Sequence, residues 1–228
     1  MRTVSIASVV VLAAVLIFPQ APANSQTPAY RAPRTADGKA DLNGIWQALN
    51  DANWDIEPHA AAQGPFPLRG AIDATPPGMG IVDGAIPYQP AAAEKKKENY
   101  KNRASSDPEA KCYLPGVPRA AYMPQPFQIF QSSNTILMSY QYAGAVRTIY
   151  MQNPGPAPAD SWMGWSVGHW EGETLVVDVT SLNDQTWFDR AGNFHSDALH
   201  VVERYTATDR DHLLYEATIE DPKVFTRP

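Results

Sequence analysis

Residues 199–220, LHVVERYTATDRDHLLYEATIE, decide the fold. In the first half Leu199, Val201 and Tyr205 share one face, while His200, Val202 and Arg204 take the other. Glu203 stands among the apolar set. In the second half Leu213, Tyr215, Ala217 and Ile219 alternate with positions that include His212, Glu216 and Glu220. A period of two on both sides of Asp209-Arg210 reads as an antiparallel hairpin with one buried and one solvated face.

The same period extends upstream. Runs at 127–131, 135–142 and 146–151 are rich in β-branched and aromatic residues, with turns at Ser133-Asn134 and Ala143-Gly144. Residues 164–170 and 173–181 form another hairpin across Glu171-Gly172, with Leu175, Val177 and Val179 on its inner side. Adding 42–48 gives about eight strands. One helix is predicted at 91–103, where Ala, Glu and Lys dominate, ending near Ser106-Asp107-Pro108. The fold class is mainly β: an antiparallel meander, a closed or partly open barrel with one short helix.

The N-terminus sets the expected compartment. Arg2, an apolar run over 4–18 and Ala21-Pro22-Ala23 form a secretory signal peptide over 1–23, so the mature chain starts at Asn24 and is periplasmic or secreted. No later run approaches the roughly 20 apolar residues of a membrane span, so no stable membrane anchor is expected after cleavage. Residues 24–40 read as an extended arm and 41–228 as a single β-rich domain, with a Pro/Gly-rich excursion at about 49–126. Removing the signal leaves 17 basic against 24 acidic residues. That balance argues against nucleic acid, which needs clustered Lys and Arg. Lys95-Lys96-Lys97, flanked by Glu94 and Glu98, reads as an exposed helix face. Cys112 is the single cysteine, read as a structural or leftover thiol.

Three motifs bear on chemistry. Gly164-Trp165-Ser166-Val167-Gly168 fits G-x-S-x-G, but a nucleophile elbow needs a helix after the turn, and here a hairpin follows. The bland reading has the glycines admitting close packing. His195, His200 and Glu203 are suitable zinc-ligand types, yet His200 and Glu203 lie three apart on a strand and face opposite sides, so no metal site is assigned. Glu203 has two readings: paired with an inward arginine such as Arg147, or raised in pKa as a general acid or base. The linker 183–198 likewise reads either as a cap bringing Asp184, Asp189 and His195 to the barrel mouth or as a surface loop pinned by Trp187.

Asp41-Leu42-Asn43-Gly44-Ile45-Trp46 resembles the G-x-W first strand of lipocalin-like barrels. Other matching stretches are Tyr88-Gln89-Pro90, Cys112 with Pro115-Gly116-Val117-Pro118-Arg119, Ser166-Val167-Gly168-His169-Trp170-Glu171-Gly172, Asn183-Asp184 with Thr186-Trp187, and His195-Ser196 with residues 199–204. On these the whole mature chain resembles a widespread family of secreted bacterial proteins without an assigned function. Members similar to it continue past the equivalent of Thr226-Arg227-Pro228 into another strand bearing a second cysteine. The resemblance therefore implies truncation, with Cys112 apart from its partner.

The leading expectation is a barrel that binds a small, largely apolar molecule. Trp46, Trp165 and Trp187 are its contact residues, with Asp184, His200, Arg204 and an orienting Glu203 around them. The second is a cofactor-independent acid/base enzyme of isomerase or hydratase type, with Glu203, Asp189 and His195 catalytic. The third is an envelope interaction module using 56–90. No cofactor fingerprint is present, and the sequence leaves the oligomeric state open.

Overall fold

The computed structural model describes residues 30–64 and 74–228. The signal peptide expected at 1–23 lies outside the described residues. Eight strands form one sheet in chain order: β1 (Gly44–Trp46), β2 (Phe127–Gln131), β3 (Thr135–Tyr140), β4 (Val146–Tyr150), β5 (Trp165–Glu171), β6 (Thr174–Thr180), β7 (His200–Ala207) and β8 (Leu213–Glu220). The sheet curls into an open, lipocalin-like half-barrel, with β1 and β8 at its two edges. One helix, α1 (Pro90–Ser106), accompanies it, with a 3-10 turn at Arg119–Tyr122. Among the described residues no helix is long and apolar enough to cross a membrane.

The hairpins follow the expected alternation. Leu175, Val177, Val179, Val201, Glu203 and Tyr205 are all buried on the inner face, beside Ile129, Ile136, Met138 and Ile149. One pairing departs from a pure antiparallel meander: β4 runs parallel to β5, through Ile149↔Ser166 and Tyr150↔Val167. The connection 151–164 carries Pro154, Pro156 and Pro158, which cannot continue a ladder. It returns the chain to the start of β4 before β5 begins, as a parallel pair requires. The hairpin turn after β5 falls at Gly172-Glu173, one residue later than the sequence suggests. Gly172 adopts φ 62°, so its position rather than Glu171 sets the turn.

Gly168 shows why the G-x-S-x-G glycines are there. A Cβ at this position would sit 2.8 Å from Ile149 Cγ2 and 2.9 Å from Met151 Sδ. Gly168→Ala is therefore expected to cost about 1–3 kcal/mol by overpacking, read as a lower urea midpoint. An unchanged midpoint would mean that Met151 swings away freely.

The excursion is not peripheral. Ala52, Ile56, Ala92, Val117, Ala120 and Tyr122 all join the core that the strands build. Pro90 occupies the first turn of α1, where its missing N–H costs nothing. The helix keeps Lys95–Glu98 and Lys97–Glu94 ion pairs exposed, at 3.0 and 2.7 Å. It docks through Asn99, whose Nδ2 donates to the Gly192 carbonyl at 3.2 Å. Gly192 has φ 86°, and a side chain there would strike Asn99 Cβ at 2.8 Å.

Candidate functional site

The centre of the half-barrel holds a buried ion pair. Arg147 of β4 and Glu203 of β7 meet through both guanidinium Nη atoms, Nη1 to Oε1 at 3.1 Å and Nη2 to Oε2. Glu203 is 0 % exposed. Its Oε1 also accepts from Tyr205 Oη at 2.9 Å and Tyr215 Oη at 2.8 Å, and Arg147 Nε donates to Ser166 Oγ at 2.8 Å. Burial opposes the charge on Arg147, but the facing carboxylate outweighs it and holds the guanidinium pKa well above its ordinary value. Burial, then the charge of Glu203, pushes both tyrosine hydroxyls up. Of the two sequence readings for Glu203, pairing with Arg147 is the one realised. Three donors converge on Oε1 and Arg147 holds Oε2, so the carboxylate is committed to internal partners.

Asp189 and His195 sit in separate networks. Asp189, 0 % exposed, accepts from Ile56 N–H at 2.9 Å, Asn193 N–H at 3.1 Å and Asn193 Nδ2 at 2.5 Å. It fastens the 183–198 linker to residues 53–56. Burial pushes its pKa up to about 7 against these three donors. His195 Nε2 accepts from Thr186 Oγ1 at 2.6 Å, and Nδ1 donates to the Ser196 carbonyl at 2.9 Å. Burial lowers its pKa, which favours the neutral ring. Glu203, Asp189 and His195 share no hydrogen-bond partner, so the three residues expected to act together lie in separate networks.

A cleft of about 820 Å³ opens between β1 and β8. Trp46 lines it, as expected, together with Tyr122, Phe127, Tyr205 and Tyr215. The linker contributes Phe188 rather than Trp187, which is buried and bridges to Phe194. The excursion supplies Ile56 and 81–88, and Phe225 reaches in from the chain's last turn. Trp165 is elsewhere: it packs on Tyr150 with ring centroids 4.7 Å apart and donates to the Gly155 carbonyl at 3.1 Å. Its face is the outer one because Ser166 and Gly168 take the inner positions of β5. His200 also faces outward, between Glu220 at 3.2 Å and Asp178 at 3.3 Å. Asp184 is exposed on the linker. Arg204 borders the cleft, but its guanidinium turns to Glu171 at 2.8 Å.

Sequence reasoning missed Tyr88, which packs on Phe225 with ring centroids 5.1 Å apart and donates to Asn193 Oδ1 at 2.7 Å. The sequence marked it only as part of the Tyr88-Gln89-Pro90 stretch of the resemblance, in a region without period, and gave it no role. A second polar cluster braces the excursion: Arg119 donates to Asn53 at 2.8 Å and to Glu109 at 2.9 Å, and Arg190 binds Glu109 bidentately while lying over Trp54. Among the described residues, no group of three His, Cys, Asp or Glu side chains converges for a metal. No protein family, no curated protein and no solved structure matches the chain.

Proposed function

We propose that the protein is an extracytoplasmic binding protein that holds a small, largely apolar molecule in the cleft between β1 and β8. The observation that carries this reading is the cleft itself: about 820 Å³, walled by aromatic and aliphatic side chains, within the range of known ligand pockets. The buried charges nearby favour binding over acid/base catalysis, because each is committed to an internal partner. The extracytoplasmic placement rests on the signal-like sequence at 1–23.

The test uses N-phenyl-1-naphthylamine, whose fluorescence rises in apolar surroundings. Trp46→Ala is expected to weaken its binding about tenfold or more, since a truncated aromatic wall loses both packing and desolvation. Trp165→Ala, on the outer face, should leave affinity unchanged. Equal affinity in both variants would place the probe outside the cleft and remove the reading.

A further inference from the structure

The aromatic wall of the cleft carries polar atoms, and the direction of each hydrogen bond decides what a ligand meets there. Trp46 Nε1 donates to the Leu42 carbonyl at 3.0 Å, and Tyr122 Oη to the Phe188 carbonyl at 2.8 Å. Tyr88 donates to Asn193 Oδ1 at 2.7 Å. Tyr205 and Tyr215 donate to Glu203 Oε1 at 2.9 and 2.8 Å. All five donors line the cleft. Their acceptors are carbonyls and a carboxylate, which have no hydrogen to give back, so each donor hydrogen is fixed on an internal partner.

These side chains keep only lone pairs and ring faces for a ligand. Phe127, Phe188 and Phe225 add rings without any donor. Both features repel an anion and attract a cation, because an aromatic face carries the negative side of the ring quadrupole. A carboxylate buried against this wall would lose its water and find no side-chain donor in exchange. Arg147 is no substitute: it is 3 % exposed and held by Glu203 and Ser166.

The rim has the same bias. Asp83, Asp211 and Glu216 border the cleft, and among the described residues none of their carboxylates has a hydrogen-bond or ion-pair partner. Of the bases there, Arg204 is paired with Glu171 and His212 with Asp209, which leaves Arg227 against the three acids. Gln47 spends its amide on the Pro124 carbonyl at 2.8 Å, and side-chain donors remain at the solvated rim on Asn50, Thr218 and Arg227.

We infer that the ligand of this cleft is a cationic amphiphile, an apolar chain or ring system bearing one ammonium group. The inference rests on the binding reading above and specifies its ligand class. Ring faces and tyrosine oxygens of the wall hold the positive charge, and the acids of the rim favour its approach. Fatty acids and other anionic amphiphiles are refused for want of a donor.

The experiment uses the full chain near neutral pH with N-phenyl-1-naphthylamine bound, displaced by decylammonium, decanol or decanoate, which share one chain length. Decylammonium should act at a concentration about tenfold or more below that of decanoate, with decanol between them. The order should survive about 0.5 M sodium chloride, which screens the exposed rim far more than the desolvated wall. Ala217 is exposed and lines the cleft, so Ala217→Lys adds a cation with free donors there without touching the core. It should reverse the order while keeping the circular dichroism of the wild type. Decanoate equal to or better than decylammonium in the wild type overturns the inference. So does an order that collapses in salt, or one that Ala217→Lys leaves unchanged. Each of these defeats the inference alone, since the naphthylamine still occupies the cleft. Binding of neither the naphthylamine nor any decyl compound defeats the underlying reading as well.

Discussion

Glu203→Leu should destabilise the protein by about 3–5 kcal/mol, whereas adding Arg147→Met to it should recover most of that loss. The single change leaves the Arg147 guanidinium buried without its counter-charge and strips the Tyr205 and Tyr215 hydroxyls of their shared acceptor. The double change removes both charges together, so the desolvation cost disappears with the attraction. Urea unfolding of the wild type, both single variants and the double variant closes the cycle. If the two losses simply add, the pair is not coupled, and the polar centre of the barrel holds together through its tyrosines instead.

Asp189→Ala should cost about 3–6 kcal/mol, because it strands three buried N–H donors at once, each worth about 1–3 kcal/mol when left unmet. Asp189→Asn is the informative companion. The folded chain raises Asp189 to about 7, against about 3.9 in an unfolded chain. The folded state therefore holds this proton more tightly. Its contribution to stability is greatest below pH 4, declines as pH rises from about 4 to about 7, and is flat above. The amide of the Asp189→Asn variant cannot titrate, so that protein should lose this part of the slope between pH 4 and 7 in urea midpoints. An unaltered slope would assign the pH response to other groups, such as Asp55 or Asp107, whose pKa values burial also raises.

The barrel was legible because alternation is a local signal. Glu203 could be placed inside from its neighbours Val201 and Tyr205 alone, and Arg147 could be named as a partner once the sheet was assumed. β5 defeats the same logic. Trp165 and Val167 point outward, while the inner positions Ser166 and Gly168 are kept small by Ile149, Met151 and the reach of Arg147, and inward bulk returns only at Trp170. Over its first four residues hydrophobicity marks the wrong side. The cleft was harder still to see: Trp46, Tyr88, Phe188 and Phe225 belong to four segments with no common period. Only the register of the sheet and the docking of the excursion bring them together. Asp189 was visible as a linker acid, but its donors come from Ile56 and Asn193, and no spacing in the sequence announces a bond across 133 positions.

The order of the strands also has a kinetic side. From β5 to β8 each strand folds back on its predecessor, and the hairpins joining β5 to β6 and β7 to β8 close over a few residues. The pairing of Trp46 with Phe127, by contrast, must first gather the whole excursion between them. Loop-closure entropy grows with that separation, and contacts between distant positions are slow to form. The C-terminal hairpins are therefore expected to be the early scaffold and β1 the late arrival. The cleft, bounded by the last piece to dock, takes shape only at the end of folding, so a newly made chain exposes the inner face of its sheet until then.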